Sequence, residues 1–513
     1  MPMQMLAAID VGSSEVSMKI YQFSKRTGIQ ELEYIRSMVE MGADTYNTGV
    51  ISYDTVRELC GVLKGFVEKL KEYRIENYYI AYAGSAMREA ANRDMVLDQI
   101  RLQTGLNVQI IGNAQQCFLI LQSLAGMMKN FEELTKEGVA VVDLSSGSLQ
   151  VSIFESGHLQ VTQNLKLGSL RVREILADIE QQTTSFVSVM EDYIGNELHT
   201  LQRLVIKTRK VRHVIVIGEE IATLLNAVNA SKNRESFTVP QFDKFYFKLM
   251  RSREEEISKK YNIPYETATV LKPSMIIFRN LVSMLGGEIV WASNVGLCDG
   301  ILSDDISRKH LFKVGHDFDA DILSITRKMA DRYESDTDHT RNVEQLSLTI
   351  FDSIRKISGM DLRDRLLLQV AGILHDSGKY VNMTHGAENA YYLVLNTEII
   401  GLSEAEKTIV ANVIRFNSSS EVPVYEQVAG MMTHVDYVRM LKMAAILRLA
   451  NGMDRSHLQR IQDIRVTVKD NELKIMANTI YDITLEQGLM ENRAHFFKQI
   501  FGLRPVLRQK RRA

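Results

Sequence analysis

Proline and cysteine are scarce in this sequence, at six and three of 513 residues, and each scarcity excludes something. Six prolines against 30 glycines leave little room for long disordered linkers, and a 45% hydrophobic content is ordinary for a soluble globular chain. The chain is expected to fold almost throughout. Cys60, Cys117 and Cys298 are odd in number, far apart and free of any CxxC pairing, so reduced thiols are expected rather than a disulfide frame or a zinc site. No apolar run reaches the roughly 18 to 20 residues that span a bilayer. The opening "MPMQMLAAIDVG" enters a strand without a charged leader, which predicts a cytoplasmic protein with no membrane partner. Charge of one sign is also missing. Lys and Arg total 61 against 63 Asp and Glu, a net charge of -2, so no specific nucleic-acid partner is expected. Only the tail "LRPVLRQKRRA", residues 503–513, is basic. It reads as a solvated terminus, or as a short electrostatic guide for a polyanion.

Single cores rarely exceed roughly 250 residues, so a chain of this length should hold several domains. In residues 1–125, "MLAAID" and "EVSMKIYQF" read as a hairpin and "DTVRELCGVLKGFVEKLKEYRI" as an amphipathic helix. "NYYIAYAGSA" reads as a buried strand, "NRDMVLDQIRLQTG" as a helix closed by Gly105, and "LNVQIIG" as a further strand. The pattern restarts in residues 126–303 with "VAVVDLSSGSLQVSIF", long helices, and the strand-turn-helix "RHVIVIGEEIATLLNAV". Such a restart suggests two related α/β halves facing each other across a cleft. Residues 310–460 are helical in period throughout. In residues 461–513, "IRVTVKDNELKIMANT" alternates around an Asp-Asn turn and "LMENRAHFFKQIFG" reads as a helix, making a small α+β unit.

The two hairpins carry the same device, an Asp at the end of the first strand followed by a Gly/Ser turn. Such turns can aim successive backbone N–H groups and hydroxyls at an anion. A carboxylate beside a phosphate repels it unless a divalent cation bridges the two, so Asp10 and Asp143 predict Mg2+ between carboxylate and phosphate oxygens. This reading requires the two turns to converge around an open space.

The stretches "AAIDVGSSEVSMKI", "AYAGSAMREAANRDMVLDQIRLQTGLNVQII", "VVDLSSGSLQVSIFESG", "NLKLGSLRVRE" and "MAAILRLANGMDRSHLQRIQDIRVTV" resemble the exopolyphosphatase and guanosine pentaphosphate phosphatase (Ppx/GppA) family. The similarity runs over nearly the whole chain. It implies a pair of α/β actin-like (ribonuclease H-like) domains with the active cleft between them, an all-α HD-type domain, and the C-terminal α+β unit. It implies removal of the terminal phosphate of inorganic polyphosphate or of guanosine pentaphosphate with Mg2+, polyphosphate or a guanosine nucleotide as partner, and a homodimer. By position, Gly12, Ser13 and Ser14 would form the first phosphate turn beside Asp10. Ser85 and Arg88 would contact the phosphate from the neighbouring strand end. Ser145, Ser146, Gly147 and Ser148 would form the second turn beside Asp143, and Gly218 would remain from a further loop that closes over substrate. A guanidinium fork such as that of Arg88 also matches phosphate oxygens on chemical grounds.

This sequence departs from the family pattern where the water-activating acids should stand. Gln115 and Gln116 occupy one such place and Gln150 the other. An amide can orient water but cannot take its proton, a loss of roughly 10²- to 10⁴-fold in rate. In the loop of Gly218, Glu219 and Glu220 add negative charge; they also suit a helix N-terminus. In the helical region, "DHTRNVEQLS" and "GILHDSGKYV" place His339, His375 and Asp376 as in an HD-type metal site, with Asn451 where an Asp is expected and Asp454 beyond it. Further His positions of related domains fall on Glu388 and Asn417, while His385 persists. A second divalent metal there competes with a structural role in which these side chains hydrogen-bond the helices together. Three functions follow: a weak phosphatase of phosphoanhydrides, a non-catalytic sensor of a phosphate-bearing ligand on the same scaffold, and, with least support, an actin-like ATPase or kinase.

Overall fold

A computed structural model of the chain describes residues 4–180, 182–183, 185–230, 235–309, 315–418 and 424–510. It divides into two compact units, Met1–Phe318 and Asp319–Ala513.

The first unit repeats one sheet plan. Strand β1 (Gln4–Val11) pairs antiparallel with β2 (Glu15–Ser24), which pairs antiparallel with β3 (Gly28–Met38). On its other side β1 takes the parallel strand β4 (Tyr79–Ala83), followed by β5 (Gln109–Ile110), giving the order β3-β2-β1-β4-β5. The second sheet comprises β6 (Val139–Leu144), β7 (Leu149–Glu155), β8 (His158–Leu165), β9 (His213–Ile217), β10 (Ser236–Thr238) and β11 (Ile289–Ser293). Its order, β10-β11-β9-β6-β7-β8, is the first plan again with one antiparallel edge strand added. Helices cover the sheets, so the central strands read as continuous apolar runs: Ala7, Ala8 and Ile9, and again Val139 to Val142, are buried on both faces.

Helix Tyr53–Glu72 shows why the covering helices form. Val56, Leu59, Cys60, Leu63, Phe66 and Leu70 recur at helical spacing and are all buried, and the Ser52 hydroxyl caps the first turn by accepting from the Thr55 N–H at 3.2 Å. Helix Arg93–Thr104 stops at Gly105, whose φ of +77° only glycine adopts without strain. Helix Leu297–Arg308 follows the second sheet in sequence yet packs on the first. Asp299 at its start accepts from Lys19 Nζ at 2.9 Å and from the Tyr21 hydroxyl at 2.8 Å, while Leu297 and Ile301 join the apolar cluster of Leu6, Ala8 and Phe23. The three cysteines are free and buried.

The second unit is helical from Thr337–Ser358 to His434–Met453, with no strand among the described residues up to 460. A three-stranded sheet follows, with β12 (Ile464–Lys469) antiparallel to β13 (Glu472–Asn478). Asp470 and Asn471 turn between them at φ of +54° and +59°, the pair of positive values that a tight two-residue hairpin demands. Helix Thr484–Phe501 then leads to β14 (Arg504–Lys510), which runs parallel to β13. This corrects the reading of the basic tail as a solvated terminus: residues 504–510 are a sheet strand. Pro505 and Leu507 are buried, and Arg504, Arg508 and Lys510 are exposed. Residues 511–513 lie outside the described residues. No helix among the described residues is long and apolar enough to cross a membrane.

Candidate functional site

The strand plan fixes where the two Asp residues stand. Asp10 is the penultimate residue of β1 and Asp143 that of β6, so each hairpin delivers its carboxylate just before its turn. The turns converge, with Ser14 Oγ 2.6 Å from Ser146 Oγ. The space they were expected to leave is occupied. The Tyr46 hydroxyl, from helix Met41–Thr48, lies 2.8 Å from Ser13 Oγ and 3.1 Å from Ser85 Oγ, and Ser13 and Ser85 are themselves 2.9 Å apart. A Cβ on Gly147 would come within 1.9 Å of that hydroxyl, so the second turn packs directly on Tyr46. A phosphate can enter only if Tyr46 withdraws.

The second turn is also consumed by its own neighbours. Ser145 Oγ accepts from the Ser148 N–H at 3.1 Å, closing the turn on itself. The Ser145 and Ser146 carbonyls accept from the N–H groups of Ser169 and Arg171, at 3.3 and 3.1 Å, which occupies the N-terminus of helix Ser169–Glu180. Arg171 then bridges the two halves of the unit. Its Nε donates to the Gly147 carbonyl at 2.8 Å, its Nη2 pairs with Glu89 at 2.7 Å, and its guanidinium lies 3.9 Å from the centre of the Tyr46 ring. Lys166 reaches Glu89 at 3.0 Å. Sequence reading missed Tyr46, Glu89, Lys166, Gly168 and Arg171; the one signal present was the stretch "NLKLGSLRVRE".

Arg88 stands on the short helix Ser85–Glu89, directly after β4. It donates to the Ile111 carbonyl and to the Asn113 side-chain oxygen, clamping the start of helix Asn113–Met127. That helix carries Gln115, which hydrogen-bonds Tyr82, and the half-buried Gln116. Gly218 has a simple steric reason: at φ of +145° its missing Cβ would stand 2.4 Å from the Leu144 carbonyl oxygen. Helix Glu219–Ala230 begins directly after it.

Gln150 is the cross-strand partner of Asp143 and is buried. Its Nε2 donates to Thr162 Oγ1 at 2.8 Å and its Oε1 accepts from Asn164 Nδ2 at 3.0 Å, which fixes the amide orientation on β7. Asp143 itself sits in a narrow crevice with Cys117, Ile120, Leu121, Gln150 and Ser152, where burial pushes its carboxyl up to about 7. The crevice has no room for a guest, the amide of Gln150 and the hydroxyl of Ser152 are already hydrogen-bonded, and Asp143 is the one carboxylate in its lining, so a divalent cation could reach Asp143 only if the crevice opened.

The raised affinity for a proton has a measurable sign. The folded state binds a proton at Asp143 up to about pH 7, whereas the unfolded chain releases it near 3.8. This group's contribution to stability is therefore greatest at low pH and falls as pH rises from about 4 to 7. Asp143→Asn should remove that decline, on the order of a few kcal/mol, in denaturation midpoints taken across this range. Identical pH profiles for the two proteins would contradict the burial argument.

In the second unit, His339, His375 and Asp376 bring three possible ligand atoms within 4.8 Å of one another, all on buried residues. His375 Nδ1 faces the Gly372 carbonyl at 2.8 Å and therefore carries a proton, leaving Nε2 as an acceptor. Burial holds the ring down to about 4, so it stays neutral at pH 7. His339 Nδ1 meets Asp454 Oδ2 at 2.8 Å, and the two Nε2 atoms stand 3.3 Å apart. Two facing ring nitrogens at that distance need a proton or a cation between them. A carboxylate behind a histidine is also how metal-bound imidazoles are oriented. His457, missed in the sequence, stacks on His339 with ring centres 3.6 Å apart. Asn451 is buried on helix His434–Met453, Glu388 is engaged by Arg415 at 2.8 Å, Asn417 is buried, and His385 is exposed at the start of helix Gly386–Leu395.

Comparison with known proteins defines the class. A model described as the Ppx/GppA phosphatase family matches residues 20–309, and a model of domain III of that family matches residues 323–496. The chain belongs to the Ppx/GppA phosphatase family. Its relatives include proteins named guanosine-5'-triphosphate,3'-diphosphate pyrophosphatase. That of Aliivibrio fischeri is 22% identical over 451 residues, with 86% of each chain covered. That of Photobacterium profundum is 21% identical over 492 residues, with 94% of each covered. Among solved structures, an exopolyphosphatase from Cytophaga hutchinsonii superposes with a TM-score of 0.52 at 18% identity, over 61% of this chain and 100% of that one. A Ppx/GppA family member from Aquifex aeolicus gives 0.50 at 21% identity, over 60% of this chain and 99% of that one. The duplicated sheets of the first unit are thus the actin-like pair expected from the motifs.

Proposed function

We propose that, once the Tyr46 hydroxyl withdraws from Ser13 and Ser85, the chain binds the terminal phosphates of inorganic polyphosphate or guanosine pentaphosphate between its two turns, with Mg2+ at Asp10 and Asp143, and hydrolyses the terminal phosphoanhydride slowly. The observation that carries this is the fixed amide of Gln150 beside Asp143, which stands where the family places an acid. Orientation of water without a base supports phosphoryl transfer, because that reaction draws mainly on positioning and electrostatics, but at a reduced rate. The contact of Ser14 with Ser146 favours a second reading, a sensor that opens around its ligand and closes without turnover.

Phosphate release and calorimetry together separate the two. With Mg2+ and either long-chain polyphosphate or guanosine pentaphosphate, the purified protein should bind and release phosphate slowly, and Asp143→Asn should do neither. Binding with release no faster than in Asp143→Asn would leave only the sensor. Absence of binding to both ligands would remove both readings.

A further inference from the structure

Helix Met41–Thr48 belongs to the first half of the first unit but docks on helix Ser169–Glu180 of the second half. Leu170 Cδ2 lies 2.8 Å from where a Cβ on Gly42 would stand, and Asn47 Nδ2 donates to Glu174 Oε2 at 2.7 Å. The same helix presents Tyr46, whose hydroxyl makes a triangle of oxygens with Ser13 and Ser85, 2.8, 2.9 and 3.1 Å on a side. A Cβ on Gly147 would lie 1.9 Å from the Tyr46 hydroxyl and 2.4 Å from Ser85 Oγ, so the backbone of the second turn closes the other side. A phosphate oxygen placed where the phenol oxygen stands would accept from both serine hydroxyls.

The wall behind the phenol carries an excess of positive charge. Arg171 Nη2 pairs with one oxygen of Glu89 at 2.7 Å and Lys166 with the other at 3.0 Å, so two cations share one carboxylate. The Arg171 side chain is only 10% exposed, whereas that of Lys166 is 72% exposed. Arg171 Nε is held by the Gly147 carbonyl at 2.8 Å and Nη2 by Glu89, while Nη1 makes no hydrogen bond among the described residues. The guanidinium lies 3.9 Å from the centre of the Tyr46 ring, so a group that replaces the ring meets it directly. Burial pushes the Tyr46 phenol up, against the pull of Ser13 and Ser85, so it stays neutral and offers Arg171 only the face of its ring. An anion in the same place would offer a full charge to a guanidinium already fixed in position.

We propose that the Tyr46 phenol is an internal plug in the seat of the terminal phosphate, and that Arg171, covered by the plug in this closed form, is a phosphate-binding residue of the open one. This rests on the reading that the two turns take a terminal phosphate, and adds how the seat is kept shut and what holds the phosphate from the second half. When Tyr46 swings out, the phosphate takes its place and ties Ser13 and Ser85 of the first half to Arg171 of the second.

The test is calorimetric titration of the full chain with tripolyphosphate in the presence of Mg2+. Tyr46→Phe deletes the hydroxyl and its two hydrogen bonds while Ser13 and Ser85 keep each other, and should bind roughly tenfold more tightly than wild type. Arg171→Lys keeps a charge that Glu89 can pair but loses the fork, and should bind roughly tenfold more weakly, also when combined with Tyr46→Phe. The direction of that change separates a phosphate-binding residue from a structural clasp. Were Arg171 only to hold the halves shut, its loss would free the seat and tighten binding as Tyr46→Phe does. Lys166→Gln, at an exposed side chain, removes the excess charge without touching the core, and should weaken binding several-fold at low salt and less at high salt. Equal affinity in wild type and Tyr46→Phe would overturn the plug, and unchanged or tighter binding by Arg171→Lys would overturn the role of Arg171. In both cases a wild type that binds leaves the capture of phosphate chains between the turns standing. Binding by neither wild type nor Tyr46→Phe would remove both readings.

Discussion

Gly168→Ala should destabilise the first unit by about 1–3 kcal/mol or more, a large effect for one added methyl. The reason is backbone against backbone. A Cβ at residue 168 would stand 2.3 Å from the Ser146 carbonyl oxygen and 2.4 Å from the Gly147 carbonyl carbon, and neither can rotate away as a side-chain tip can. Relief requires helix Ser169–Glu180 to lift off the second turn. The Ser169 and Arg171 N–H groups would then lose the Ser145 and Ser146 carbonyls, and Arg171 would lose Gly147 and with it the bridge to Glu89. The variant should therefore lower the urea midpoint of the first unit and loosen the contact between its two halves. Gly61→Ala is the matched control: it is exposed on helix Tyr53–Glu72 with nothing within 4 Å of its added methyl, and should stabilise by roughly 0.5–1 kcal/mol. If both substitutions behaved alike, the close approach at Gly168 would not be what holds the turn.

Much of the fold was legible because burial writes itself into local pattern. Both hairpins, the strand at Tyr79–Ala83 and the helices of the second unit follow from apolar spacing alone. Strand β3 was not legible, since it lies at a sheet edge with most of its side chains exposed and shows no apolar alternation. The tail was misread for a related reason. Two buried residues, Pro505 and Leu507, are too few to outweigh its basic composition, and only pairing with β13 makes it a strand.

In the candidate site the division is sharper. Asp10, Asp143 and the turn serines belong to short contiguous motifs, so sequence locates them. Tyr46, Glu89 and Arg171 act through contacts between segments distant in the chain. Nothing in "DTYNTG" or "MREA" shows that a tyrosine hydroxyl fills the space between the turns, or that a glutamate receives both Lys166 and Arg171. His457 against His339 is the same case in the second unit. Arg88 and Gly218 also meet local demands that position in a motif does not show, a helix start to be clamped and a carbonyl to be cleared.

Gln150→Glu should raise the rate of phosphate release by roughly 10²- to 10⁴-fold, the range a positioned general base contributes. The surroundings already suit a carboxylate. Asn164 Nδ2 donates to residue 150 now and would continue to do so, and the Thr162 hydroxyl, which accepts from Gln150, can turn to donate instead. The new acid would therefore enter with two hydrogen bonds and little strain. It would also face Asp143 across the β6–β7 pair, where two adjacent carboxyls cannot both ionise readily in a poorly solvated crevice. The proposed Mg2+, were it to bridge the two carboxyls, would remove that conflict, and the gain should then depend on Mg2+ more steeply than the wild-type rate does. The measurement is initial phosphate release from guanosine pentaphosphate and from polyphosphate, with ligand binding followed in parallel. A folded Gln150→Glu protein that binds its ligand yet releases phosphate no faster than wild type would show that the missing acid is not what limits this chain. The closed contact among Tyr46, Ser13, Ser85 and Gly147 would then be the barrier, and Tyr46→Phe the substitution that relieves it.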